Sequence, residues 1–370
     1  MPIANRMGEI DSSGIRKVFE RAQQMQDPIN LSIGQPDFPP PDEIKCSAIE
    51  ALQKGFNRYT VTQGIKELRE EVRDHLKKEK DFEPEEIMIT SGVAGGIMLA
   101  FLAILNPGDK LLIPDPYFVI YKHLCKLIGA VPVFLDTYPD FEVTPERLDG
   151  VLGKNIKLAI INNPCNPTGA LIGSERLKAI ASLAESRGTL ILADEIYDFF
   201  TYDERPHSIG GYSRSAIILG GYSKTFGIPG WRVGYAAGPK HIIREMIKLQ
   251  QYSFVCAPSV LQYALLPAFK INMTEKLNEY RRKRDMVCEG LKAYYEFTRP
   301  GGAFYLFPKA PGGSGQVFAE KAIEKNLLIV PGSVFSERDT HFRLSFSVSD
   351  DTLRKGVDAL RELSEEWNGV

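Results

Sequence analysis

The sequence predicts an α/β fold: a largely parallel sheet covered by helices on both faces, followed by a smaller α/β unit. Three observations carry the prediction. Short apolar runs recur at residues 87–90, 111–114, 131–135, 158–162, 190–194 and 216–220, each of strand length and near-continuous, as strands buried on both faces are. Helical patterns separate most of them, notably 95–105, 117–128 and 174–187. After Pro258 long helical stretches take over, and from about Arg299 a second alternation begins. In such a sheet, ligands sit beyond the carboxyl ends of the strands.

Taken in order, residues 13–26 read as a helix. A short strand from Ile29 then runs into a Gly/Pro turn and the prolines at 39–41. Pro41-Asp-Glu opens a helix through residue 52, and 64–80 is a charged amphipathic helix. Beyond the sheet, 275–295 is helical. The second unit has strand patterns at 302–307, 327–330 and 341–347, closed by a helix over 350–367. The expected division is a large domain over 43–275 and a small one from 1–42 and 276–370. No flexible linker separates them, so a long helix is expected to be shared.

Bulk properties exclude several classes of function. In 370 residues, 44% are apolar and 25% charged, and a formal charge of −2 supplies no field for nucleic acid or a membrane surface. The basic run Arg281-Arg-Lys-Arg284 reads as the solvated face of a helix. Five cysteines without CxxC spacing disfavour structural zinc and a disulfide framework and suit the cytoplasm. The five histidines show no HxxxH or HExxH pairing, so no metal is assigned. No signal-type apolar stretch opens the chain, and the longest uncharged apolar run, 93–105, is too short to span a bilayer.

Chemistry-bearing residues gather at four strand ends. Ile89-Thr-Ser-Gly-Val-Ala-Gly-Gly96 passes from strand to helix, where free NH groups near Gly92, Val93 and Ala94 make an anion seat. Asn162-Asn-Pro-Cys-Asn-Pro-Thr-Gly169 fixes an irregular backbone with Asn166-Pro167 a candidate cis bond; a plain turn is its other reading. Asp194 ends an aliphatic strand three residues before Tyr197, where it serves either as a helix cap or as the partner of a buried cation. Gly221-Tyr-Ser-Lys-Thr-Phe-Gly-Ile-Pro-Gly-Trp-Arg-Val-Gly-Tyr235 places Lys224 among small residues, with Arg232 eight positions on. Alone, Lys224 reads as a solvated surface lysine. Together the four loops offer an anion seat, an amide, a carboxylate, a phenol, an amine and a guanidinium. One flat phosphorylated aldehyde with a basic ring nitrogen, pyridoxal 5'-phosphate, would use them all.

The ordered set Gly34-Gln-Pro-Asp37, Asn166-Pro-Thr-Gly169, Asp194-Glu-Ile-Tyr197, Ser223-Lys224, Gly230-Trp-Arg-Val-Gly234 and Phe342-Arg-Leu-Ser-Phe346 resembles the class I/II aminotransferases of fold type I, in their aspartate and aromatic branch. The likeness covers nearly the whole chain. It implies the pyridoxal-phosphate-dependent transferase fold, with a mostly parallel seven-stranded sheet in the large domain and a smaller α/β C-terminal domain. It implies that Lys224 holds the cofactor as a Schiff base and shuttles the substrate proton. Asp194 would pair with the ring nitrogen, Tyr197 and Asn166 with the ring hydroxyl oxygen, and Phe118 would stack on the ring. Ser223, Arg232 and the NH groups of Gly92, Val93 and Ala94 would hold the phosphate. Arg343, with Asn166 and the backbone at Gly34, would grip the substrate α-carboxylate.

Tyr59 matches a tyrosine that reaches the phosphate of the other subunit, which implies a homodimer. The activity implied is transfer of an amino group from an aspartate, aromatic or other neutral amino donor to a 2-oxo acid, 2-oxoglutarate, by a ping-pong route in the cytoplasm. A β-elimination lyase or a cyclopropane-forming synthase shares these motifs, and a non-catalytic binding protein is the remote alternative. Two departures stand out. Gly221 occupies a position where the family often has serine, so weaker cofactor retention is expected. Val93-Ala94-Gly95 lacks the lysine that reads a distal carboxylate in one aspartate-specific group, which shifts the expected donor toward an aromatic or other neutral amino acid; an arginine from elsewhere could restore aspartate recognition.

Overall fold

A computed structural model describes residues 3–12, 14–153 and 155–368. Helix α1 (Gly14–Ala22) is shorter than the 13–26 pattern, because the chain turns after Ala22 and Asp27 adopts a left-handed φ of 45°; Ser13 lies outside the described residues. Strand β1 (Ile29–Asn30) leads to α2 (Asp42–Gln53) and α3 (Lys66–Lys80). Seven strands and four helices follow: β2 (Glu86–Thr90), α4 (Gly92–Ile104), β3 (Lys110–Asp115), α5 (Ile120–Leu127), β4 (Val131–Asp136), α6 (Pro145–Leu152), β5 (Ile156–Asn162), α7 (Ser174–Ser186), β6 (Leu190–Asp194), β7 (Ile217–Gly221) and β8 (Gly234–Gly238).

The seven strands form one sheet in the order β2-β8-β7-β6-β5-β3-β4. Only β8 runs antiparallel to its neighbours. Strands β2, β5, β6 and β7 are buried on both faces, which is why their sequences read as unbroken apolar runs. The chain crosses from β4 back over β3 to β5, and the crevice at the carboxyl ends of the strands is the expected ligand site of such a sheet.

Two differences from the sequence pattern matter for the site. Helix α4 begins at Gly92, three residues before the expected start. Glycine is a poor helix former, but Gly96 packs so close to the sheet that a Cβ there would meet Leu219 at 3.0 Å. Helix α5 begins at Ile120 and not at residue 117, after a loop entered through the cis bond Asp115–Pro116. The Asn166–Pro167 bond is cis, as expected.

After β8 come α8 (Lys240–Gln251), α9 (Ser259–Ala264) and α10 (Thr274–Leu291). The C-terminal part holds β9 (Tyr305–Leu306), α11 (Gly315–Glu324), β10 (Leu327–Leu328), β11 (Val330–Pro331), β12 (Phe342–Ser345) and α12 (Asp350–Asn368). The strand expected over 302–307 shrinks to two residues because Ala303 takes a left-handed φ of 53°. The run at 327–330 splits: β10 pairs in parallel with β1, whereas β11 pairs with β12.

Helix α10 packs on α12 and also holds the sheet-bearing part, through Arg284 on Asp203 and Arg281 on the Tyr202 carbonyl. Its basic run is not a solvated face. Lys283 and Arg284 are 1% and 2% exposed; the first pairs with Asp37 at 2.6 Å and the second stacks over Tyr202. Each charge finds its counterion across the interface, so burial is tolerated. Among the described residues no helix is long and apolar enough to cross a membrane.

Candidate active site

A crevice of about 570 Å³ opens beyond the sheet, floored by the ends of β5 and β6, the loop after β7 and the start of α4. Lys224 lies three residues past β7, and its Nζ donates to the Gly34 carbonyl at 2.7 Å. Desolvation, with the positive charges of Arg343 and Arg232, lowers its pKa to about 8 against the opposing pull of Asp194. An amine so tuned is available as nucleophile and base near neutral pH.

Asp194 closes β6 and is 3% exposed. Burial raises its pKa to about 6, opposed by hydrogen bonds from the Tyr121 hydroxyl at 2.7 Å and the Ile196 NH at 3.2 Å. No helix starts directly after β6, so the cap that the sequence left open is not formed; the Ile196 bond belongs to a local turn. It does not neutralise the carboxylate, since among the described residues no lysine or arginine lies within ion-pair distance of Asp194. Asn162 braces the floor, donating to the Asp194 carbonyl at 2.9 Å and accepting the Asn166 NH at 2.8 Å.

The anion seat is the first turn of α4. No side chain caps it, so its NH groups and the helix dipole face the crevice beside Val93, Ala94, Ser223 and Arg232. Gly92 has φ 70°, and a Cβ there would come within 2.7 Å of Arg232 Nη2. Glycine is what lets the guanidinium lie against the helix start. Arg232 itself is left-handed, with Nη1 on the Pro229 carbonyl at 3.1 Å.

Arg343 enters from β12, the middle strand of the three-stranded sheet, and is 1% exposed. Nη1 donates to Asn166 Oδ1 and Nη2 to the Ser32 carbonyl, both at 2.9 Å, while the buried Nε has no partner. Its plane lies between the rings of Tyr305 at 4.4 Å and Phe335 at 4.5 Å. Burial lowers its pKa from the ordinary arginine value. A buried guanidinium without a carboxylate is costly unless an anion arrives.

The structure thus gathers Gly34, Val93, Ala94, Phe118, Asn166, Asp194, Tyr197, Ser223, Lys224, Arg232 and Arg343 in one crevice, with Gly92 behind Arg232. Tyr59 is not among them: it is 80% exposed at a separate surface hollow. Sequence reading missed Tyr121 and Tyr305, whose hydroxyls hold Asp194 and, at 2.8 Å, Tyr197. Tyr121 stands three residues after Phe118, and that helical spacing was the one local signal for it.

These groups fit pyridoxal phosphate. Asp194 is a buried carboxylate lacking a cation, Gly92 keeps a cradle that a Cβ would fill, and the amine between them is tuned for a carbonyl. Fold and crevice together are those of a pyridoxal-phosphate-dependent transferase. The sequence matches the family of class I and II aminotransferases over residues 26–360. A probable aspartate aminotransferase of Methanocaldococcus jannaschii is 35% identical, the match covering 98% of this chain and 100% of that one. Aromatic-amino-acid aminotransferase 2 of Thermococcus litoralis is 34% identical over 99% of both chains. The aspartate aminotransferase of Thermus thermophilus with maleate superposes with a TM-score of 0.94 at 31% identity, covering 98% of this chain and 100% of that one. The chain belongs to the class I and II aminotransferases and is a pyridoxal-phosphate-dependent enzyme of that family.

Proposed function

We propose that the enzyme moves the amino group of an aspartate, aromatic or other neutral α-amino acid to 2-oxoglutarate in two alternating half-reactions at one site. Bound pyridoxal phosphate supplies an electron-poor ring that accepts negative charge from the substrate Cα. Lys224 Nζ would be the base that takes the proton from the donor's Cα in one half-reaction and the acid that delivers a proton to the Cα of the new amino acid in the other. Asp194, held by Tyr121, keeps the ring nitrogen protonated. Tyr197 and Asn166 hold the ring hydroxyl oxygen, and Phe118 packs on the ring. Ser223, Arg232 and the NH groups of Gly92, Val93 and Ala94 anchor the phosphate. Arg343, with Asn166 and Gly34, orients the substrate through its α-carboxylate.

The observation that carries this reading is Arg343, a buried guanidinium with an orphaned Nε and no carboxylate, facing the same crevice as Lys224 and Asp194. Borohydride reduction of the holoenzyme is expected to fix the cofactor on the Lys224 peptide, and Lys224→Ala to abolish half-reactions with every amino acid. Label on another lysine, or turnover retained by the variant, refutes the assignment.

A second copy is proposed to cover the face carrying Tyr59. Support comes from exposed Val61 and Tyr252 nearby, the latter 88% exposed, and from Gln250, which ties the end of α8 to the Thr62 carbonyl. Tyr59 would then reach the partner's phosphate seat, giving a cytoplasmic homodimer. Light scattering of the holoenzyme tests this, and a monomeric mass with full activity excludes it. The proposed units are a large domain over 43–275 and a small one over 1–42 and 276–370, with α10 gripping both.

A further inference from the structure

Two buried phenols meet in the crevice beside Lys224. Tyr197 and Tyr305 are 4% and 1% exposed, and their hydroxyl oxygens lie 2.8 Å apart. Among the described residues neither hydroxyl has another hydrogen-bond partner. The seat of Tyr305 is fixed on two sides. Its ring lies 4.4 Å from the Arg343 guanidinium, and a Cβ on Gly34 would come within 2.7 Å of its hydroxyl oxygen. Glycine at 34 is therefore what lets the hydroxyl reach Tyr197.

Each phenol has one proton to donate, so the pair holds two and its shared bond uses one. The other points outward, from Tyr197 or from Tyr305, according to which of them donates inward. Three charged groups face the pair: Arg343 from β12, Asp194 at the end of β6 and Lys224 in the loop after β7. Burial raises the pKa of both phenols, Tyr197 the further, and the field of Arg343 draws Tyr305 back down. Arg343 also accepts no hydrogen bond, so it gives an outward proton on Tyr305 nowhere to go. The better acid donates inward, and the Tyr197 proton is left for the crevice.

We propose that Tyr305 is a positioning residue that acts through Tyr197: its hydroxyl donates to the Tyr197 oxygen, which turns the Tyr197 proton toward the ring hydroxyl oxygen of the cofactor and strengthens it as a donor there. The inference rests on the reading of Tyr197 as the partner of that oxygen.

The test is a pH titration of the visible absorption band of the holoenzyme, which follows the proton on the nitrogen joining Lys224 to the cofactor. Loss of that proton leaves the negative ring oxygen without its cationic neighbour, so a strong donor at the oxygen favours the loss and lowers the midpoint. Tyr305→Phe keeps a ring on Arg343 and removes only the hydroxyl. Its midpoint is expected to rise by about 0.3 to 1 pH unit, the worth of one neutral hydrogen bond. Tyr197→Phe should raise the midpoint at least as far, and the double variant should match Tyr197→Phe alone. With Tyr197→Phe shifted, an unmoved midpoint in Tyr305→Phe overturns the role of Tyr305. So does a lowered one, which would mean that Tyr305 draws the Tyr197 proton away from the ring, and so do shifts that simply add in the double variant. An unmoved midpoint in Tyr197→Phe instead removes the reading of Tyr197, and the role of Tyr305 falls with it.

Discussion

Replacing Arg343 with methionine, of similar length and no charge, separates a substrate-gripping role from a structural one. With substrate bound, the change removes one partner of a buried, hydrogen-bonded charge pair, a loss of about 2–5 kcal/mol. At about 1.4 kcal/mol per tenfold, kcat/KM should fall by roughly 30-fold to a few thousandfold. Without substrate the balance differs. The bonds to Asn166 Oδ1 and the Ser32 carbonyl are lost, at about 1 kcal/mol each. Against that, a buried charge lacking a carboxylate is removed, which relieves a penalty of several kcal/mol. Substrate-free holoenzyme should therefore melt within about 3 °C of the parent or above it, given the unfolding entropy of a chain this long. The assays are steady-state kinetics with a donor series and calorimetric melting. A loss of stability of about 3 kcal/mol or more, with kcat/KM lowered less than about fivefold, would show that Arg343 is a structural ion and sink the reasoning.

Four further outcomes follow from the geometry. The rate at which apoenzyme captures pyridoxal phosphate should rise with pH through a midpoint near 8, the pKa to which desolvation, Arg343 and Arg232 bring Lys224, and level off above it; a midpoint near the ordinary 10.5 contradicts this. By the same linkage, apoenzyme stability should increase between about 8 and 10.5, where the unfolded amine still holds the proton that the folded one has released; a fall over that window in urea titrations counts against it. Gly92→Ala puts a Cβ within 2.7 Å of Arg232 Nη2 at φ 70° and should raise the cofactor dissociation constant, with a loss of stability of only about 1 kcal/mol from the left-handed alanine; an unchanged dissociation constant disproves the cradle. Lys80→Met strands Glu195 and Asp198, which Lys80 meets at 2.8 and 2.6 Å, and should destabilise the protein by about 3–5 kcal/mol in denaturant titrations; a change below about 1 kcal/mol would mean that these carboxylates need no cation.

The central sheet was legible because its inner strands are buried on both sides, so β5 and β6 appear as unbroken aliphatic stretches ending at Asn162 and Asp194. Strand β8 was not, since Gly-Tyr-Ala-Ala-Gly carries no alternation and gains its place by pairing with β2 and β7. Residues of the site stood out where an uncommon type met a turn, as at Lys224, Arg232 and Asn166. Tyr121 and Tyr305 did not, because their partners lie 73 and 108 residues away, a distance that local spacing does not register. Lys283 and Arg284 looked solvated for the same reason: Asp37 and Asp203 are remote in sequence.

Strand β1 pairs with β10, the Ser345 NH donates to the Leu31 carbonyl, and Arg343 rests on the Ser32 carbonyl. Residues 29–32 are thus fastened to residues 327–345. A ribosome making this chain releases the Lys224 loop long before Arg343, the guanidinium proposed to orient a substrate, and the opening segment waits unpaired throughout. The sheet can condense early, but an emerging polypeptide stays inert toward amino acids until its final portion arrives.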